Sequence, residues 1–393
     1  MTVTPAYRAV RVCAILALIG IFASEATRAQ DGFVSVSGGR FVQNGKSFHV
    51  AGVNNHYLTY GSAAEVTRVL DDAVAMHANV VRTFIQPVIG SLDGRTVPTI
   101  WNWKSKADAS NLGVNGAYML YWDTARGAMG INDGADGLQR LDFLLAEARK
   151  RDLKLIIAFL DFWAYTGGAQ QIRAWYGSGD MNTFFFADPR TKQNYKDWIG
   201  HILGRVNAIT GVRYKDDPTI FSWQLMNEPD IRPSSLRDSW LAEMAAHVKS
   251  IDPHHLVSSG RANVSDRLSD IAIPGFDFGV WHGYPLYYKL TPAQFDKLIV
   301  EFCEIGRKNG KPVVLEEFGF ARSNPDQAAV YRTWLETLSR SPGCAGWIVW
   351  RLVARQDSGA FPDDRHDQFD VHNDGGELWT VLRDAAIALR ARP

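Results

Sequence analysis

Hydrophobic and polar positions alternate along this chain in a regular rhythm. Short apolar runs of strand length recur at 48–54, 80–84, 153–159, 220–226, 256–259, 276–281, 313–317 and 347–353. Apolar runs bounded by turn residues read as strands buried on both faces, as in a parallel sheet. Between most of them, apolar residues recur every three or four positions, at 63–77, 137–151, 193–209, 235–251, 295–309 and 327–339. That is the spacing of one helix face. Eight strand candidates alternating with helices predict an α/β fold, a (β/α)8 TIM barrel in a single domain. Ahead of the barrel, 33–42 alternates and turns at Gly38-Gly39, which predicts a small hairpin. One connection is long. The loop after the second strand runs from 86 to 136 and carries Trp101, Trp103, Tyr118, Tyr121 and Trp122. Long loops in compact domains are functional or disordered, and this many aromatic rings argues against disorder. The loop is expected to wall a cleft at the C-terminal face of the barrel.

The first residues follow a different pattern. Arg8 and Arg11 precede an apolar stretch at 12–23, too short to span a bilayer comfortably, and Thr27-Arg28-Ala29 offers small residues for cleavage. The expected organisation is a signal peptide at 1–29 and a catalytic barrel at 30–393. The mature protein would be secreted or periplasmic, with no stable membrane association once the signal is removed. Cys13 would be lost with the signal. Cys303 and Cys344 remain, and either a disulfide or two buried thiols would suit an exported chain.

Lys+Arg and Asp+Glu balance at 42 each, so a nucleic-acid partner is not suggested. The chain has 13 Trp, 13 Tyr and 20 Phe. Many are core residues, but such rings also suit the C–H faces of pyranose sugars. Cys-x-x-Cys and His-Glu-x-x-His are absent, and the run Asp363-Asp364-Arg365-His366-Asp367 lacks periodic ligand spacing, so it reads as a polar loop. Neither a metal nor an organic cofactor is expected.

The candidate chemistry sits at strand ends. Trp223-Gln224-Leu225-Met226-Asn227-Glu228-Pro229 closes the fourth strand and Val313-Val314-Leu315-Glu316-Glu317-Phe318-Gly319 the seventh. A carboxylate at the end of a buried strand is costly unless it serves a purpose. In such barrels that end is where chemistry is done. Paired carboxylates are what glycoside hydrolysis requires, about 5–5.5 Å apart where configuration is retained. Glu228 suits the general acid/base, and Asn227 a hydrogen bond to the sugar 2-hydroxyl. Adjacent strand residues point to opposite sides, so only one of Glu316 and Glu317 is expected to face the mouth. Glu317 is preferred because Phe318-Gly319 lets the chain turn beside it. Arg82, a cation within the second strand, needs an anion partner; Glu317 is the natural one, and the pairing would keep the nucleophile ionised. His282 and Tyr284 share a face after the sixth strand, Tyr284 to hold the nucleophile and His282 to orient the acid or a hydroxyl. Trp350 ends the eighth strand as a floor for the cleaved sugar, with Trp347 on the opposite face in the core. Trp163 follows the third strand as a sugar platform.

At these residues the chain resembles glycoside hydrolase family 5, and most of all its β-mannanases. The likeness extends to Gly52-Val53-Asn54, to Ile131-Asn132-Asp133-Gly134-Ala135-Asp136-Gly137-Leu138-Gln139-Arg140-Leu141-Asp142, to Arg205-Val206-Asn207, and to Tyr214-Lys215-Asp216-Asp217-Pro218-Thr219-Ile220. The resemblance implies a retaining β-glycosidase acting on a β-1,4-mannan polysaccharide. Glu228 would be acid/base and Glu317 nucleophile, with Arg82, Asn227, His282, Tyr284 and Trp350 around the cleaved sugar. Met226, Asp230 and Arg351 stand where such mannanases often carry Ala, Arg and Gln. The alternatives are a cellulase or exo-mannosidase specificity in the same family, and a non-catalytic carbohydrate-binding barrel.

Overall fold

The computed structural model describes residues 32–393 apart from 101–108, 111, 178 and 365, together with Met1. Residues 2–31, where the signal peptide and Cys13 are expected, and the loop residues Trp101 and Trp103 lie outside the described residues.

Eight strands form one parallel sheet: β1 (Val50–Asn54), β2 (Val80–Phe84), β3 (Lys154–Ala158), β4 (Ile220–Gln224), β5 (Leu256–Ser258), β6 (Gly279–Gly283), β7 (Val313–Phe318) and β8 (Cys344–Val349). Their order is β5-β4-β3-β2-β1-β8-β7-β6. The seam between β5 and β6 is stitched by Asp277 N–H to Val257 O at 3.0 Å and by Asn263 Nδ2 to Val280 O at 2.9 Å. The result is a nearly closed (β/α)8 barrel, as the rhythm predicts.

The helices α1 (Ala63–Ala75), α2 (Gln139–Lys150), α3 (Gly168–Tyr176), α4 (Pro189–Gly204), α5 (Ser234–Ile251), α6 (Pro292–Asn309), α7 (Gln327–Arg340) and α8 (Glu377–Arg390) surround it. Two of these, α3 and α8, go beyond the sequence expectation. The start of α4 at Pro189 is fixed by the Asp188 side chain, which accepts from Arg190 N–H, with Pro at the first helical position. β8 begins and ends earlier than its apolar run suggests. Leu352 and Val353 have already left the barrel, and their N–H groups bond Asn54 O and Val371 O.

The N-terminal hairpin pairs Val34–Ser37 with Arg40–Gln43. Its Val34 and Phe41 enter the lower barrel beside Val50, Val80, Phe221, Phe278 and Val314. The Phe41 ring meets Phe221 edge-on at 5.0 Å and Phe278 at 5.2 Å. The long loop builds a sheet of its own from Val88–Ser91, Leu120–Asp123 and Ala128–Ile131. Trp122 packs against Trp175 and Tyr176 of α3, and Trp175 Nε1 donates to Ile89 O at 3.1 Å. Cys303 of α6 is bonded to Cys344 at the start of β8, which answers the choice the sequence left open.

Candidate active site

The upper barrel is polar because several strands end in polar residues whose side chains converge. Arg82, on β2, is fully buried and gathers the site around its guanidinium. Nη1 donates to Glu317 Oε1 at 2.5 Å and Asn54 Oδ1 at 3.0 Å. Nη2 reaches Asn227 Oδ1 at 2.8 Å and Gln224 Oε1 at 2.6 Å. Tyr284, just past β6, donates its hydroxyl to Glu317 Oε2 at 2.6 Å. The predicted partners of Glu317 are thus both in contact with it.

Glu228 is held from two sides. His282 Nδ1 lies 2.8 Å from Oε1, and Trp163 Nε1 donates to Oε2 at 2.8 Å. The residue has φ of 49°, a left-handed conformation that a side chain disfavours, and its N–H bonds Gly260 O at 2.8 Å. With its side chain 22% exposed against 5% for Glu317, Glu228 is the more open of the two. One carboxylate oxygen from each of Glu228 and Glu317 and a ring nitrogen of His282 lie within 4.8 Å of one another. That approach lets the two carboxylates act on one glycosidic bond, as a nucleophile and an acid must.

Only Glu317 approaches the mouth, its side chain 5% exposed against 0% for Glu316, but the two do not point to opposite sides as strict alternation would have them. The ladder between β6 and β7 shifts register, pairing Trp281 with Leu315 but His282 with Glu317. Glu316 is the extra residue, and alternation fails at such a bulge. Both carboxylates therefore reach the same cluster. Glu316, fully buried, accepts from Gln224 Nε2 at 2.8 Å and contacts His282 Nε2 at 3.1 Å and Arg82 Nε at 3.4 Å. It lies beneath the site, a supporting position in keeping with the sequence reading.

Two aromatic candidates differ in what they touch. Trp163 is a hydrogen-bond donor to Glu228 as well as a ring at the rim. Trp350 stacks with Phe84 at 6.2 Å and with His56 at 6.0 Å, and Phe84 in turn lies 4.8 Å from the Arg82 guanidinium carbon. Trp347 is buried in the core, as expected.

A family profile described as GH family 5 beta-mannosidase-like matches residues 125–273. A putative mannan endo-1,4-beta-mannosidase 9 of Oryza sativa subsp. japonica is 30% identical, over 87% of this chain and 87% of its own. The chain belongs to glycoside hydrolase family 5. The endo-1,4-beta-mannanase structure from Rhizomucor miehei is 26% identical with a TM-score of 0.78, covering 92% of this chain and 100% of that one. The endo-beta-1,4-mannanase of Thermotoga petrophila is 28% identical with a TM-score of 0.73, covering 88% and 78%.

In this family 5 enzyme the charges of the site form one coupled set. Burial lowers the His282 imidazole, but Glu317, Glu228 and Glu316 together raise it to about 9. Burial raises Glu228, yet the hydrogen bond and charge of His282, followed by Trp163 and Arg82, bring it below the ordinary carboxylate value. Glu317 ends above that value: burial and the negative charge of Glu228 outweigh His282 and Arg82. Arg82 therefore pulls the carboxyl down as expected, but does not set its net direction. Glu228, His282 and Glu317 are residue types that can ligate a metal, but Arg82 and a cationic His282 already supply positive charge there, which disfavours a further cation.

Sequence reasoning passed over Gln224, Asn54 and Asp161. Gln224 is a large polar residue on a mainly apolar strand, the same signal that singled out Arg82. Asp161 is a carboxylate just past a strand end, the signal that singled out Glu228. It accepts from Asn227 Nδ2 at 2.9 Å, and burial pushes it up to about 7.

Proposed function

We propose that this family 5 enzyme hydrolyses internal β-1,4-mannosidic bonds of mannan or glucomannan with retention of configuration, after export from the cell. The carrying observation is the pair Glu228 and Glu317, just past β4 and at the end of β7, with one oxygen of each carboxylate within 4.8 Å of the other. The mannan specificity is supported by the mannanases that this chain resembles over most of its length. The exported location is supported by Arg8, Arg11 and the apolar stretch that follows. Among the described residues, no helix is long and apolar enough to cross a membrane.

In this reading Glu317 attacks the anomeric carbon while Glu228 passes its proton to the departing glycosidic oxygen. The products are a mannosyl ester on Glu317 and a free sugar end. Water then enters, gives a proton to Glu228 and its oxygen to the anomeric carbon, and Glu317 is released. Arg82 and Tyr284 steady the Glu317 carboxylate as attacking and leaving group. His282 holds a proton 2.8 Å from Glu228, one transfer away from the acid form the first step needs. Asn227, oriented by Arg82 and Asp161, is aimed to bond the 2-hydroxyl of the cleaved sugar, and Trp350 floors it.

Product profiling on linear mannan, glucomannan and carboxymethyl cellulose, with Glu317→Ala as the blank, tests this. Mixed short manno-oligosaccharides that vanish in the variant are expected. Mannose or mannobiose alone would mean exo action. Cleavage of cellulose alone would overturn the mannan assignment.

A further inference from the structure

Two half-exposed tyrosines stand at the mouth of the cleft with no part in the chemistry above. Tyr165 lies in the turn Ala164–Thr166, two residues past Trp163, and is 53% exposed. Tyr287 lies in the short helix Pro285–Tyr288, three residues past Tyr284, and is 52% exposed. Tyr287 is held in place. Its hydroxyl donates to the Asp367 carboxylate in the loop after β8. Its ring meets Tyr284 edge-on at 5.6 Å and Phe369 at 6.3 Å. The loops after β6 and β8 are thereby joined over the cleft. Burial raises both tyrosine hydroxyls, and the nearby negative charges raise them further. Tyr165 feels Asp161, Glu228 and Asp367; Tyr287 feels Asp367 most and Glu228 as well. Both tyrosines thus sit within electrostatic reach of Glu228 and Asp367, and Tyr287 touches Asp367 directly.

Their place in the barrel says which sugar they meet. Tyr165, Glu228 and Tyr287 follow β3, β4 and β6. Arg82, Glu317 and Trp350, which surround the sugar under attack, lie on or after β2, β7 and β8; Asp367 also follows β8, but its loop reaches across to Tyr287. A general acid gives its proton to the sugar that departs. The half of the mouth around Glu228 is therefore the leaving-group half.

We propose that Tyr165, Tyr287 and Asp367 form the subsite for the leaving sugar. The two rings offer apolar faces to a pyranose, and the Tyr287 hydroxyl and Asp367 carboxylate bond its hydroxyls. This rests on the reading of Glu228 as the acid. These residues then set the need for a sugar, rather than any other leaving group, on that side of the scissile bond.

The test compares two substrates for each variant. Mannotetraose must place sugars in the leaving-group half. A β-mannobiosyl fluoride loses only fluoride as its glycosyl group passes to Glu317, and so needs neither that subsite nor a proton from Glu228. For Tyr165→Ala and Tyr287→Ala, kcat/KM on mannotetraose is expected to fall about 10- to 100-fold, the scale of one lost pocket contact. The fluoride rate stays within about threefold; Tyr165→Phe recovers most of the loss, and Tyr287→Phe, which keeps the ring but not the hydroxyl, recovers only part of it. Equal losses on both substrates, or none on mannotetraose, overturn the subsite while the function stands. A wild-type enzyme inert on both substrates removes the mannanase reading and the subsite with it.

Discussion

At the lower end of the barrel, Val80 of β2, Val280 of β6 and Val314 of β7 pack with Phe41, Phe221 and Phe278 in an apolar plug. Two residues further along the same strands and on the same faces stand Arg82, His282 and Glu316, all fully buried in a network of charge. One pleat, about 7 Å, separates a dry core from a catalytic cluster. A parallel barrel fixes side-chain direction so firmly that one strand supplies both. The plug needs only shape, whereas the cluster must balance Glu228, Glu316 and Glu317 against Arg82 and His282. Stability and chemistry are therefore expected to separate by position along each strand.

The strongest way to break this division is at the top. Glu317→Gln should lower kcat/KM by about 10⁴-fold or more, the scale seen when a nucleophile is removed. It also relieves the repulsion between Glu317 and Glu228, so the melting temperature should hold or rise. A matching loss of melting temperature would show that the cluster carries the fold. The reverse change is Phe41→Ala, which should cost about 3–5 kcal/mol of stability. The kcat of the molecules that remain folded should be unchanged, as read by denaturation and by active-site titration.

A smaller effect sharpens the comparison through pH. His282 is raised in the fold to about 9 from an ordinary value of 6.5. Its contribution to stability is therefore complete below about pH 6.5 and is lost as pH rises through about 9. The loss is on the order of 3 kcal/mol. Chemical denaturation of the enzyme and of His282→Gln across this window should show the slope in the first and its absence in the second. The apolar end has no titrating group to produce one.

How much of this was legible in the sequence follows from the same geometry. Position on or just past the apolar strand runs singled out Arg82, Glu228, His282, Tyr284 and Glu317, and the structure brings all five into one hydrogen-bonded cluster. The bulge at Glu316 was not legible, because a register shift depends on how β6 and β7 pair and leaves no mark in the apolar run. α3 was hidden by Gly167-Gly168 at its start, where helix propensity is low. α8 was readable from Leu378, Val381, Leu382 and Leu389, whose spacing is helical. The Tyr287–Asp367 contact joins positions 80 residues apart and only exists once the barrel closes.

The central claim is that Glu317, and not its equally buried neighbour Glu316, forms the covalent intermediate. The most direct measurement is to inactivate the enzyme with 2-deoxy-2-fluoro-β-mannosyl fluoride and map the labelled residue by mass spectrometry of peptides. One fluoromannosyl group per chain, carried by Glu317, is expected. A label on Glu316 or Glu228, or turnover with no covalent adduct, would contradict it.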